Sequence, residues 1–116
     1  VHWERILSDI LEQIPKNESF SYRVFDCGVM DLGDAVQVAP KTLNILEGSY
    51  STHPELIGRY DLKIFLKTSP ETQSARILKR NGPARHKMFV EKWIPLENLY
   101  FTSYPVEKQC DLVFTT

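Results

Sequence analysis

Glu47 is the residue whose setting most invites chemistry. It closes the short apolar run Leu43–Leu46 and is followed at once by Gly48-Ser49-Tyr50-Ser51, a small and hydroxylic turn. If that run is a buried strand of an open parallel sheet, its carboxyl end is where such sheets bind ligands. One carboxylate there suits Mg²⁺, which takes one or two protein carboxylates and completes its shell with phosphate and water. The plain alternative is a strand-end acid hydrogen-bonded to its own turn. A second set of residues is cationic: Arg76, Lys79, Arg80, Arg85, Lys87 and Lys92 fall within 17 residues that hold His86 and a single acid, Glu91. Two helices hinged at Gly82-Pro83 and carrying that charge would suit the neutralisation of a phosphoryl group as it moves between oxygens. A solvated helix face would read the same way.

Smaller signals lie elsewhere. Asp26 beside Phe25 would orient a hydroxyl-bearing substrate stacked on the ring, and an Asp at that place equally caps a turn. His53 stands before Pro54 and reads as a cap or surface residue. Cys27 and Cys110 are far apart, with no CxxC or Cys/His cluster. They read as buried small apolar residues, which argues against a disulfide framework or zinc site and for a reducing cytoplasm. The aromatics between Trp93 and Phe101 read as helix packing.

These residues need elements to position them. Trp3, Ile6, Leu7, Ile10, Leu11 and Ile14 recur at threes and fours, an amphipathic helix stopped by Pro15. Phe20, Tyr22 and Val24 alternate, as do residues around Val36 and Val38, so two short strands joined by an irregular loop follow. Leu43–Glu47 and Leu62–Leu66 read as buried strands, with a short helix entering at His53-Pro54-Glu55 between them. Strand, helix, strand at that spacing implies a parallel pair with helices on its faces. Ser69-Pro70-Glu71 reads as N-cap, first-position proline and first-turn acid of a helix that stops at Asn81-Gly82-Pro83. A further helical stretch from about Arg85 to Tyr104 is kinked by Pro95, and Asp111–Thr115 closes the chain as a strand.

The whole is expected as one α/β domain, 1–116, with 84–103 as a helical region: 116 residues and 42% apolar content fit a single globule. A formal net charge of −1 leaves no basic excess for nucleic acid or an anionic membrane. No apolar run approaches the roughly 20 residues that span a bilayer, and the first residues do not form a secretory leader.

Taken in order, Ile45-Leu46-Glu47-Gly48-Ser49-Tyr50, His53-Pro54-Glu55-Leu56, Tyr60-Asp61-Leu62-Lys63-Ile64-Phe65-Leu66, Arg76-Ile77-Leu78-Lys79-Arg80-Asn81 and Cys110-Asp111-Leu112-Val113-Phe114 resemble the later part of uridine kinase-like P-loop kinases. Asn81-Gly82-Pro83 and Trp93-Ile94-Pro95-Leu96-Glu97-Asn98 are similar to a small bacterial subgroup with a shortened lid. The resemblance implies a three-layer P-loop kinase-type α/β fold, mostly parallel, and an ATP-dependent phosphotransferase. Its acceptor would be a nucleoside or a similar hydroxyl compound. It implies that Glu47 helps hold the Mg²⁺ of MgATP, that Arg76 and Arg80 face the phosphates and that Arg85 belongs to the lid. Phe25, Asp26 and Tyr50 would lie at the acceptor. Cys27 stands where a second aromatic is usual and Met30 where a base-contacting His is common. A homo-oligomer is compatible with the resemblance.

One signature is missing. No GxxxxGK[ST] occurs; the five glycines are Gly28, Gly33, Gly48, Gly58 and Gly82, none followed by Lys-Ser or Lys-Thr. By the resemblance that loop and the first strand lie upstream of Val1, and the strand sits between those matching Leu43–Glu47 and Leu62–Leu66. This chain is then expected to be the later part of a longer kinase, inactive alone. The competing reading is a non-catalytic relative, a binding or regulatory domain that keeps the fold without the loop.

Overall fold

A computed structural model describes residues 2–116. It is a mixed α/β chain with two small sheets, one antiparallel pair and one parallel pair. The single domain read from the length is organised as two compact units, Val1–Arg59 and Tyr60–Thr116.

The first unit opens on helix α1, Trp3–Ile6, which widens into a π-helical turn over Leu7–Leu11 and ends in a 3₁₀ turn at Ile14–Lys16. Pro15 sits in that last turn, and Asn17 leaves it in the left-handed region at φ 53°, which Asn tolerates better than most residues. Arg5 pairs with Asp9 one turn on at 3.2 Å and also donates to the Arg23 carbonyl at 2.7 Å, tying the helix to the next strand. Strands β1, Phe20–Asp26, and β2, Asp31–Val38, form an antiparallel hairpin, as the alternation predicts. Arg23 pairs with Ala35 but Phe25 with Leu32, so β2 carries an extra residue and bulges. The Arg23 guanidinium donates to the Gly33 and Leu32 carbonyls at 2.9 and 2.7 Å, satisfying acceptors at the bulge.

The expected strand Leu43–Glu47 is not formed. The segment is irregular, and Leu43 and Ile45 stand 75% and 83% exposed. An apolar run states only that a segment prefers burial, whereas a strand also needs a neighbour to take its backbone N–H and C=O groups. No such neighbour pairs with it among the described residues. The expected crossover from it to the next strand therefore fails too, and the short helix after His53 is reduced to turns and a 3₁₀ turn at Ile57–Arg59. Leu56 anchors these turns, fully buried, and Trp3 stacks on His53 with ring centroids 5.5 Å apart.

In the second unit, β3, Ile64–Lys67, pairs in parallel with β4, Leu112–Thr115. The connection between them is mostly helical, the long crossover that parallel pairing needs, with non-helical joints at Thr68–Ser69, Tyr104–Pro105 and Cys110–Asp111. It begins with α2, Pro70–Met88, whose N-cap is Ser69: its hydroxyl accepts from the Thr72 N–H at 3.2 Å. Gly82 breaks α2 at φ 80°, ψ 171°, where the sequence places the stop, and the chain resumes as helix at Pro83. A π-helical turn, Phe89–Trp93, then leads into α3, Ile94–Ser103. Pro95 is the second residue of α3, directly after the π-helical turn, and the backbone stays helical through Trp93 and Ile94 into it. A short α4, Val106–Gln109, precedes β4.

Ile77, Tyr100 and Val106 are the buried side chains of this unit, and Phe65 of β3 meets Phe101 edge-on at 5.5 Å. The alternate residues of β3, Ile64 and Leu66, stay exposed, as do Leu112, Val113 and Phe114 of β4. Parallel strands are ordinarily covered on both faces.

Candidate functional site

The residues expected to do chemistry divide between the two units. Phe25, Asp26, Glu47 and Tyr50 belong to the first, and Arg76, Arg80 and Arg85 to the second.

Phe25 and Asp26 end β1 beside a hollow of about 430 Å³ lined by Val24, Phe25, Asp26, Cys27, Gly33 and Asp34. The Asp26 carboxylate accepts from the Gly28 N–H at 2.7 Å, so it caps the hairpin turn. Phe25 is half-exposed, free to offer a ring face, and the β2 bulge brings Asp34 to the same hollow. Cys27 is exposed rather than buried, a correction to its reading as a packed apolar residue. It sits in the turn between β1 and β2. Glu47 is exposed on the irregular segment and not at the end of a strand. Tyr50 is half-buried in the turn that follows, its carbonyl accepting from the His53 N–H at 3.1 Å. His53 has the capping part expected of it: its Nδ1 accepts from the Glu55 N–H at 3.2 Å.

In the second unit Arg76 is fixed at the carboxyl end of the parallel pair. Its Nη1 donates to Thr116 Oγ1 at 3.1 Å. Thr116 is itself held there, since its N–H donates to the Lys67 carbonyl at 2.8 Å and its own carbonyl accepts from Thr68 Oγ1 at 3.2 Å. Arg80, one helical turn beyond Arg76 and on the same face, is exposed and donates to Asn81 Oδ1 at 2.9 Å. Arg85 lies beyond the Gly82 break, also exposed. Two other cations of the run are occupied: Lys87 pairs with Glu91 at 3.7 Å, and Lys92 lies over the Trp93 ring at 5.1 Å.

The chain matches no protein-family model and no curated protein. Site chemistry therefore rests on geometry and charge. Arg76 and Arg80 form a pair of guanidinium groups that can take phosphoryl or carboxylate oxygens, and the hairpin hollow offers an aromatic ring and two carboxylates. Tyr60 and Cys110 both titrate above their ordinary ranges, and neither is activated by it. Burial, with a smaller push from Tyr100, raises the Tyr60 hydroxyl to about 12. Burial and then the Asp111 charge raise the Cys110 thiol, with Lys63 opposing, so its thiolate is disfavoured.

Among the described residues no three His, Cys, Asp or Glu side chains gather as a metal site. Glu47 is an exposed single carboxylate with no second acid gathered beside it as part of such a group. No described helix is long and apolar enough to cross a membrane.

Sequence reasoning missed Thr116, Thr68 and Lys67 as the frame around Arg76. The available signal was the hydroxylic Thr68-Ser69 directly after an apolar strand. Lys67, the last residue of β3, places its amine 2.7 Å from Glu107.

Proposed function

We propose that this chain is part of a cytoplasmic ATP-dependent small-molecule kinase of the uridine kinase-like kind. It would pass the γ-phosphoryl group to a hydroxyl of a nucleoside or a similar acceptor. The observation that carries the reading is Arg76, projected from the helix after β3 and hydrogen-bonded at the carboxyl end of a parallel pair. That end is where open α/β sheets bind ligands, and a guanidinium there meets phosphate oxygens bidentately. The open apolar faces of β3 and β4 support the reading as well, since a P-loop kinase-type sheet would cover them with further strands.

On this reading Arg76 and Arg80 stabilise charge on the transferred group, and Arg85, across the Gly82 break, approaches from the mobile side. In the first unit, taken by itself, the Phe25 ring and the Asp26 carboxylate would suit stacking and hydrogen bonding of a hydroxyl-bearing acceptor. Glu47 would contact the Mg²⁺ bound to ATP, which supplies charge neutralisation between the phosphates.

The coding sequence upstream of Val1 tests the proposal. A GxxxxGK[ST] loop within roughly 60–90 residues, the room a strand, loop, helix and second strand need, supports the kinase. Its absence favours a binding or regulatory relative. With the loop present, the protein should move labelled phosphate from ATP to a nucleoside, while calorimetry of this 116-residue chain with MgATP should show no micromolar binding.

A further inference from the structure

Ser74 and His86 lie 12 positions apart in one helical element, yet Ser74 Oγ and His86 Nε2 are 2.7 Å from each other, both half-buried. Along an unbroken helix that separation would be about 18 Å. The contact exists because Gly82, at φ 80° and ψ 171°, takes a backbone conformation open almost only to glycine and folds residues 83–88, the start of a second arm that runs on without a break into the π-helical turn and α3, back along the first arm, 70–81. Each arm carries exposed cations, with Arg76, Lys79 and Arg80 on the first and Arg85 and Lys87 on the second. Arg85 and Lys87 flank His86 directly, so wherever His86 is held, they are held.

We propose that the Ser74–His86 hydrogen bond is a latch that closes a hinge at Gly82. Closed, it fixes the angle between the arms and gathers their cations into one set. Open, it frees the start of the second arm, residues 83–88, to move about Gly82 while α3 stays packed on β3 through Phe101, and divides that set. Ser74 and His86 are positioning residues and touch no ligand themselves. The imidazole has the geometry for the part, because its Nε2 bonds a hydroxyl either as acceptor or as donor. The inference uses only the unliganded chain and stands whether or not the phosphoryl-transfer reading holds.

Amide hydrogen exchange of the 116-residue chain tests it, with the β1–β2 hairpin as the internal reference. Ser74→Ala and His86→Ala should each speed exchange of amides 84–88 about 2- to 10-fold, the range that loss of one net hydrogen bond gives. Ser74→Thr, which keeps the hydroxyl, should restore slow exchange. The double variant should be no faster than either single one, because both remove the same bond. Unchanged exchange at 84–88 in both single variants would overturn the latch. So would additive effects, a Ser74→Thr variant as fast as Ser74→Ala, or acceleration in β3 and β4 as large as in 84–88, which would make the bond a support of the whole unit.

Discussion

The Asp111 carboxylate sets the register at the amino end of the parallel pair. Its Oδ2 accepts from the Lys63 backbone N–H at 2.7 Å and lies 3.6 Å from the Lys63 amine. The same two residues are joined a second time, since the Asp111 N–H donates to the Lys63 carbonyl at 2.8 Å. A two-stranded parallel sheet has few backbone bonds of its own, so a side chain that clamps its start carries weight. Asp111→Ala should lower stability by about 1–2 kcal/mol, the worth of a charge-assisted bond at a half-exposed site. Asp111→Asn, which keeps an acceptor, should lose less. Urea denaturation followed by far-UV circular dichroism checks it, and equal midpoints for Asp111→Ala and the parent would show that the clamp does not operate.

Gly82 is the next point of leverage. A Cβ added there meets nothing within 4 Å, so the cost of a side chain is backbone strain alone. At φ 80° and ψ 171° that cost is about 1–3 kcal/mol for an L-residue. Gly82→Ala should therefore destabilise the second unit by that amount, or straighten α2 and raise helical content. A D-alanine at the same position, introduced by synthesis, should be neutral. An L-alanine variant with unchanged midpoint and unchanged helical signal would contradict the break.

What the sequence disclosed and what it withheld follows from how local each signal is. Ser69 as N-cap, Gly82-Pro83 as a stop and the alternation of the hairpin are written within a few neighbouring residues, and each appears in the structure. Strand β3 was legible because Ile64-Phe65-Leu66 is apolar and finds β4 as a partner. Leu43–Glu47 carries the same kind of run and stays irregular, since pairing is a property of two segments and the run describes one. The link between Arg76 and Thr116 spans 40 positions, and that between Ser74 and His86 depends on two dihedral angles of Gly82. Neither leaves a trace in residue spacing.

Stability should also fall at alkaline pH through Tyr60. Burial is the larger cause and Tyr100 the smaller of the rise that takes its hydroxyl from 10.0 to about 12. Between those values the folded chain keeps a proton that the unfolded chain has lost, so raising the pH favours unfolding. The contribution is whole below the unfolded value and disappears as the pH climbs through the folded one. Tyr60→Phe removes the titration. Its denaturation midpoint relative to the parent should shift in the variant's favour from about pH 9 to 12. Cys110, shifted upward by burial first, is present in both proteins and cancels in the comparison. A midpoint difference independent of pH would contradict the burial of the phenol.

If the proposed phosphoryl transfer is right, Glu47→Gln in the full-length protein should lower turnover about 10²-fold or more with little change in acceptor affinity. The glutamine keeps the shape and removes the charge, so a carboxylate that helps hold the metal would show its loss in turnover rather than in acceptor affinity. A carboxylate that only supports its own turn predicts a different result, a small loss of stability with unchanged rate per folded molecule. Kinetics across a magnesium titration separates the two, and wild-type turnover with unaltered magnesium dependence would end the assignment.

Arg76 offers the sharper test, because its partner is Thr116 Oγ1. If the guanidinium stabilises charge that develops during transfer, Arg76→Ala should reduce kcat about 10²-fold and leave KM for the acceptor nearly unchanged, as expected of an interaction made mainly in the transition state. Arg76→Lys keeps the charge but loses the planar fork, so it should recover only part of the rate. Thr116→Val keeps the side-chain shape and removes the hydroxyl that accepts from Arg76 Nη1 at 3.1 Å. It should cost less than Arg76→Ala, about 10-fold or below, because the charge remains and only its aim is loosened. The double variant Arg76→Ala with Thr116→Val should be no slower than Arg76→Ala alone, since the threonine acts through the arginine. A Thr116→Val enzyme as slow as Arg76→Ala, or effects that multiply in the double variant, would show that Thr116 works on the reaction by a route of its own. An Arg76→Ala enzyme with full turnover would remove the phosphoryl group from this end of the sheet.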